Sequence, residues 1–321
     1  MQIGFKLFAE AFGPNELVSQ AQRAEQAGFD FVEISDHFHP WLDSHGHSPF
    51  AWSVLASIAA KTERLELVTG VTCPSIRYHP AIVAQAAATT QILSGGRFTL
   101  GVGAGERLNE HVVGKGWPEV GNRHRMFREA LEIIRRLWEG GYRSYRGEFL
   151  SIEDARVFDL PDELPPIVVA GGGPQAAKVA AELGDGLFAT DPDSDLIQAY
   201  ADAGGEGLKY SEVPLAWAPD TEEAAESAHG LFRFGILDWN VLPELPNPKN
   251  FESATEAITT DHMKEAFACG PDVDRHLEVS KDFVDAGFDH LALISAGPDL
   301  DGFFEFFADE LAEPMRALTK S

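Results

Sequence analysis

Apolar positions along this chain fall into two alternating patterns. Short runs are hydrophobic almost throughout: "QIGFKL" at Gln2–Leu7, "FDFVEIS" at Phe29–Ser35, "LELVTGV" at Leu65–Val71 and "RFTLGVG" at Arg97–Gly103. Between them lie segments of helical period. Leu17, Ala21, Ala24 and Ala27 recur through Asn15–Ala27, and Gly28 closes that helix. Similar spacing predicts helices over Ser53–Lys61, Pro80–Ser94 and Arg123–Trp138. The second half continues with a strand entering a glycine turn at Pro165–Gly173, a helix over Gln175–Glu182, "GLFAT" at Gly186–Thr190 and "VPLAWAP" at Val213–Pro219. A late helix includes Val279–Ala286, "HLALISAG" is the last strand and Gly302–Leu318 the last helix. Strands apolar on both faces are those of a parallel sheet covered by helices. About eight such strand–helix units without a linker predict one (βα)8 TIM-barrel domain over residues 1–321. A doubly wound sheet shares the local pattern and is the alternative. Asn240–Asp261, with "NVLPELPNPKN", breaks the alternation and predicts an insertion at about 236–265 beyond the barrel's C-terminal face.

Charge narrows the partners. The chain carries 51 acidic and 25 basic residues, a formal charge of −26. Such a surface repels nucleic acid and anionic membranes, and a carboxylate coat fits a protein of high-salt surroundings. No apolar run approaches the length of a membrane span, and "MQIGFKLFAEAFGP" does not read as a secretory signal. The two cysteines, Cys73 and Cys269, give no disulfide scaffold and fit a reducing cytoplasm.

In a barrel, chemistry gathers just after the strands' C-terminal ends. "SDHFHPW" at Ser35–Trp41 follows the second strand, Thr72 and Cys73 the third, and "AGERLNEH" at Ala104–His111 the fourth. The glycine turn Gly171–Gly173 follows the fifth and Thr190 the sixth. Polar groups from separate segments thus converge, as in an enzyme. His37, His39, His45 and His47 do not have diagnostic zinc spacing, and no metal is expected. His37 suits proton transfer near neutrality, with Asp36 beside it to orient or charge-balance it. Glu106 is either a second proton carrier or a carboxylate near a helix N-terminus. Gly172 and Gly173 precede a helix and are either a phosphate-binding turn or a simple tight turn.

Together, "SDHFHPW", "HSPFAWSV", "GVTCPSIRYHPAIVAQAAAT", "GRFTLGVGAGERLNEH" and "AGGGPQAAKVAAELGDGLFAT" resemble the luciferase-like oxidoreductase superfamily. The similarity is to its deazaflavin branch, near the glucose-6-phosphate dehydrogenase-like members that use coenzyme F420. The resemblance implies a TIM barrel, commonly a homodimer, with hydride transfer between a small-molecule alcohol, sugar or aldehyde carbon and the deazaflavin. It implies that His37 takes the hydroxyl proton, Glu106 protonates the cofactor ring and Trp41 walls the substrate. It places Asp36, Gly70, Val71, Thr72, Asn109, Gly172, Gly173 and Thr190 at the cofactor, with a cis peptide at Gly70–Val71. The sugar-phosphate enzymes carry a lysine where this chain has Asp193. That aspartate repels a phosphate, so an unphosphorylated substrate is expected. Lys249, Lys264, Arg275 and Lys281 are the cations left to replace the lysine. The alternatives within the superfamily are an FMN-dependent monooxygenase and an F420H2-dependent reductase of activated alkenes.

Overall fold

The computed structural model describes residues 1–238 and 240–320. Its strands are β1 (Gln2–Leu7), β2 (Phe31–Ile34), β3 (Glu66–Thr69), β4 (Phe98–Val102), β5 (Arg143–Arg146), β6 (Ser151–Ala155) and β7 (Ile167–Ala170). There follow β8 (Gly186–Phe188), β9 (Leu208–Ala216), the two-residue β10 (Ala268–Cys269) and β11 (His290–Ser295). Parallel pairing runs β11–β1–β2–β3–β4–β7–β8–β9, and β9 pairs back to β11. Eight strands therefore close into a TIM barrel, which excludes the open doubly wound sheet. Helices α1 (Pro14–Ala27), α2 (Ala51–Ala59), α3 (Pro80–Leu93), the short α4 (Arg107–Glu110), α5 (Val120–Trp138), α6 (Pro174–Leu183) and α7 (Ser194–Asp202) alternate with the strands. So do α8 (Thr221–Phe232), α9 (Pro248–Ala254), α10 (Thr260–Ala266), α11 (Val273–Ala286), α12 (Leu300–Phe306) and α13 (Ala312–Arg316).

Local chemistry sets the boundaries. Proline opens α1, whose end is fixed by Gly28 at φ 93°. Asp193 and Asp220 cap α7 and α8 by accepting from backbone N–H groups of the first turn. Several elements differ from expectation. β9 begins at Leu208 rather than Val213, because Lys209 and Glu212 interrupt an otherwise apolar run. The hairpin of β5 and β6 went unforeseen; it lies against α5, its less exposed residues, such as Tyr145 and Ile152, alternating with solvent-facing ones.

Side chains inside the barrel form layers, because alternate residues of each strand point inward. Phe31, Val68, Val168, Phe188, Tyr210 and Ala292 make an apolar plug. Gly4 belongs to this layer: a Cβ there would lie 2.2 Å from the Phe31 ring. The other faces of the strands pack against the helices in the main core. Residues 233–238 and 240–266 include short helical turns together with α9 and α10. Phe234, Leu242 and Phe251 from this segment join Phe8 and Trp41 in a second apolar cluster at the C-terminal end of the barrel. Trp239, within the expected insertion, lies outside the described residues.

Candidate active site

A cavity of about 1760 Å³ opens at the C-terminal end of the barrel, lined from nearly every strand–helix loop. It exceeds the usual volume of a small-ligand pocket, roughly 300–1,000 Å³, so it has room for a large cofactor and a small substrate together.

His37 stands just beyond β2. Its Nδ1 forms an ion pair with Oε1 of Glu10, which is wholly buried just beyond β1. Burial opposes protonation of His37, but the charges of Glu10 and then Glu106 outweigh it and raise its pKa above 6.5. Glu10 is correspondingly lowered: its burial penalty is more than offset by His37 and Lys6. Glu10 supplies the countercharge that sequence reading assigned to Asp36. Asp36 is committed elsewhere. Its Oδ2 accepts from Trp52 Nε1 (3.1 Å) and Thr72 Oγ1 (2.7 Å), and its Oδ1 from Arg77 (3.1 Å) and Tyr78 Oη (3.0 Å). The carboxylate thus anchors the wall behind His37.

Glu106 opens α4 at the N-cap position, yet its side chain makes no capping hydrogen bond. Its Oε2 is shielded from solvent and lacks a hydrogen-bond partner among the described residues. Burial pushes its pKa up to about 7; His37 pulls it down, while Glu10, Glu110 and Glu212 add to the rise. The helix-terminus reading of Glu106 is therefore set aside. Trp41 is buried. Its ring meets His37 edge-on at 5.0 Å and stacks on Phe234 at 4.6 Å and 12°, with Phe251 edge-on at 5.1 Å.

The cavity brings together His37, Trp41, Glu106, Asp36, Gly70, Val71, Asn109, Gly172, Gly173 and Thr190. Thr72 is the exception: it is fully buried behind the wall and spends its hydroxyl on Asp36. Gly70–Val71 is a cis peptide. Asn109 Oδ1 accepts from the N–H groups of Phe38 (2.9 Å) and His39 (3.1 Å), so it pins the loop that carries His37. Gly173 is the extended N-cap residue of α6, and Gly171–Ala176 line the cavity with Arg123, Arg125 and Arg128 of α5. Asp191 and Asp193, in the loop after the neighbouring strand β8, also line it. Burial, then the charges of Asp193 and Asp238, hold Asp191 above the usual carboxylate range. Of the four cations considered from sequence, only Arg275 reaches the cavity, and it is paired with Glu278 at 2.6 Å.

The remaining histidines disperse. His39 Nδ1 lies 3.0 Å from the Leu108 carbonyl, His111 bonds the Arg107 carbonyl, and His45 is buried between Phe8 and Phe234. Among the described residues no group of three or more His, Cys, Asp or Glu is placed to hold a metal ion. Sequence reading missed Glu10, Phe234 and the charged groups inside the barrel. The rule applied to the other strands, to inspect the residues just past each C-terminal end, would have found Glu10 past β1.

Comparison with known proteins agrees with this geometry. The chain matches the Luciferase-like monooxygenase family over residues 1–290. It is 36% identical to an F420-dependent glucose-6-phosphate dehydrogenase of Nocardia farcinica, covering 99% of each chain. It is 33% identical to the enzyme of the same name from Amycolatopsis mediterranei, again over 99% of each. Among solved structures, an F420-dependent secondary alcohol dehydrogenase in complex with an F420-acetone adduct superposes with a TM-score of 0.90 at 29% identity, covering 97% of this chain and 98% of that one. The chain belongs to the luciferase-like monooxygenase family.

Proposed function

We propose that this protein is an F420-dependent oxidoreductase that interconverts an unphosphorylated alcohol and its carbonyl compound. The observation that carries the reading is the buried Glu10–His37 pair facing Glu106 in one cavity, a histidine with a raised pKa and a carboxyl pushed up to about 7 beside an aromatic wall. The relatives' named use of F420 supports the cofactor. The residues present fit it: the cavity has the volume, and Glu106 presents a buried oxygen without a partner. Bound there, the deazaflavin supplies a two-electron hydride acceptor. His37 removes the hydroxyl proton as the carbon loses hydride, and Glu10 orients the ring and stabilises the imidazolium. Glu106 holds the second proton at the cofactor side. Trp41 and Phe234 exclude water from the reacting carbon. Gly172 and Gly173, at the N-terminus of α6, and Thr190, just past β8, would hold the cofactor phosphate, with Arg125 and Arg128, which share their charge with Glu148 and with Glu132 and Glu182, offsetting its charge. In the reverse direction His37 returns its proton to the carbonyl oxygen and Glu106 takes one back on the cofactor side.

The substrate assignment rests on charge. Asp191 and Asp193 line the cavity, so a substrate phosphate beside them meets repulsion. The apolar cluster of Trp41, Phe234, Phe251 and Leu242 suits the hydrocarbon part of an alcohol.

The reading includes a homodimer formed through α2 and α3. Helix α3 carries Ile82, Ile92 and Leu93 about half exposed on its outer face, beside Gln85 and Thr89. Ile82 and Leu93, with Ala56 and Ala86, border a shallow groove between the two helices. Large exposed apolar side chains gathered in one patch suit an interface, and a second copy supplies the self-complementary cover of a two-fold dimer.

Titration of the apoprotein with oxidised F420, followed by tryptophan fluorescence, tests the cofactor. Saturable quenching that is lost in Trp41→Phe supports the assignment. Saturation by FMN without binding of F420 overturns it.

A further inference from the structure

Three charged side chains stand inside the barrel between the apolar plug and the site. Lys6 Nζ lies 2.7 Å from Glu33 Oε1, 2.6 Å from Glu212 Oε1 and 3.2 Å from the Gly70 carbonyl oxygen. Lys6 and Glu33 are direct cross-strand partners on β1 and β2, and Glu212 reaches in from β9. Each lies two residues past a member of the plug layer, Gly4, Phe31 and Tyr210 respectively, so together they make the next layer towards the C-terminal ends. Lys6 is 5% exposed, Glu33 fully buried and Glu212 15% exposed; Lys6 and Glu212 form part of the cavity floor.

A buried layer with one ammonium and two carboxyl groups is a costly choice for a barrel interior unless its charge is used. Burial, more than any neighbour, pushes Glu33 well above the carboxylate range, so it keeps its proton and leaves Lys6 opposite Glu212. Burial disfavours the ammonium, but its carboxyl neighbours, Glu212 foremost, outweigh that and raise the Lys6 pKa, so it stays charged.

We propose that Lys6 and Glu212 are positioning residues, a fixed ion pair beneath the site that sorts the proton between its two carriers. The proposal rests on the acid–base roles given above for His37 and Glu106. Lys6 shares β1 and its exit loop with Glu10, and its positive charge disfavours a proton on His37. The Glu212 carboxyl, on the cavity floor, favours a proton on Glu106. The groups that face His37 are Glu10, Glu106 and Lys6; those that face Glu106 are His37, Glu10, Glu110 and Glu212. Glu10 alone would overprotonate His37, and Lys6 restrains it. The pair therefore biases the empty site toward a free base at His37 and a protonated acid at Glu106, the state that alcohol oxidation consumes.

The test is the pH dependence of kcat/KM in the holoenzyme, paired with the titration of His37 by histidine-selective NMR in the cofactor-free protein. In Glu212→Gln, the alkaline limb set by Glu106 moves down by about half a unit to one unit. In Lys6→Met, the acid limb and the His37 resonance both move up by a similar amount, and Lys6→Arg restores them. If Lys6→Met does not fold, Glu212→Gln decides alone. Limbs that stay in place while kcat/KM falls evenly at every pH assign the pair a merely structural role and overturn the proposal. His37→Asn and Glu106→Gln separate the two levels. If those variants keep both limbs, the acid–base reading itself has failed; if they lose them while the floor variants shift nothing, only the sorting role has.

Discussion

Replacing Glu10 by glutamine keeps the shape of the His37 pair and removes its charge. The imidazole then keeps its burial and loses its largest favourable neighbour, so its pKa falls instead of rising. An opposite charge at contact distance is worth about 1–3 pKa units, or about 1.4–4 kcal/mol. The stability effect depends on pH in both directions. His37 has a folded pKa above 6.5, so its contribution is whole below about pH 6.5 and fades as pH rises through the folded value. Glu10 has a folded pKa below 4.5, so its contribution is present above about pH 4.5 and fades as pH falls through the folded value. Thermal unfolding of wild type and Glu10→Gln should therefore differ most between those limits, by about 2–6 °C for a chain of this length. The gap should narrow in alkaline buffer. The acid limb of kcat/KM should move to lower pH, and kcat should drop because the base has lost its orienting partner. A stability gap independent of pH, or an unmoved acid limb, would refute the reasoning.

Other variants probe the rest of the site. Glu106→Gln should remove the alkaline limb near pH 7 and lower kcat by about 10²–10⁴-fold. The same variant should be more stable than wild type at pH 8, by about 3 kcal/mol, and should lose that advantage near pH 4: a buried carboxyl with a raised pKa resists the ionisation that unfolding permits. Phe234→Ala removes the ring stacked on Trp41, so it should cost about 3–5 kcal/mol in denaturant unfolding and shift kcat/KM toward bulkier alcohols. Ile82→Asp with Leu93→Asp should yield monomers by light scattering without loss of the folded circular dichroism spectrum. The charge of −26 should make the melting temperature rise with added salt; a maximum near zero salt would contradict the high-salt reading.

How much of this was legible in the sequence follows from which interactions are local. Strand and helix periods, the glycine turn after β7 and the loop beyond β2 are local signals, and they led to the barrel and to His37, Trp41 and Glu106. Glu10 was not legible through neighbours in sequence, because its partner His37 lies across the β1–β2 junction. Asp36 shows the opposite error. Adjacency suggested that it served His37, but four donors from Trp52, Thr72, Arg77 and Tyr78 claim its carboxylate. Lys6, Glu33 and Glu212 had a visible signal, charges set inside largely apolar strands. What they do depended on the barrel's closure, which alone brings β1, β2 and β9 around one axis. The role of the segment beyond α8 was hidden for a similar reason. Its prolines marked a break in the pattern, but nothing in the spacing of Phe234 and Phe251 pointed to Trp41, some two hundred residues earlier.

The central claim is an F420-dependent oxidation whose substrate carries no phosphate. Its most direct test is the bleaching of the oxidised F420 absorption band by the purified protein, with uncharged secondary alcohols and glucose 6-phosphate offered separately under the same conditions. The account predicts saturable reduction of F420 by an uncharged alcohol, abolished in His37→Asn, and none by glucose 6-phosphate. Saturable reduction by glucose 6-phosphate, with none by any uncharged alcohol, would contradict it.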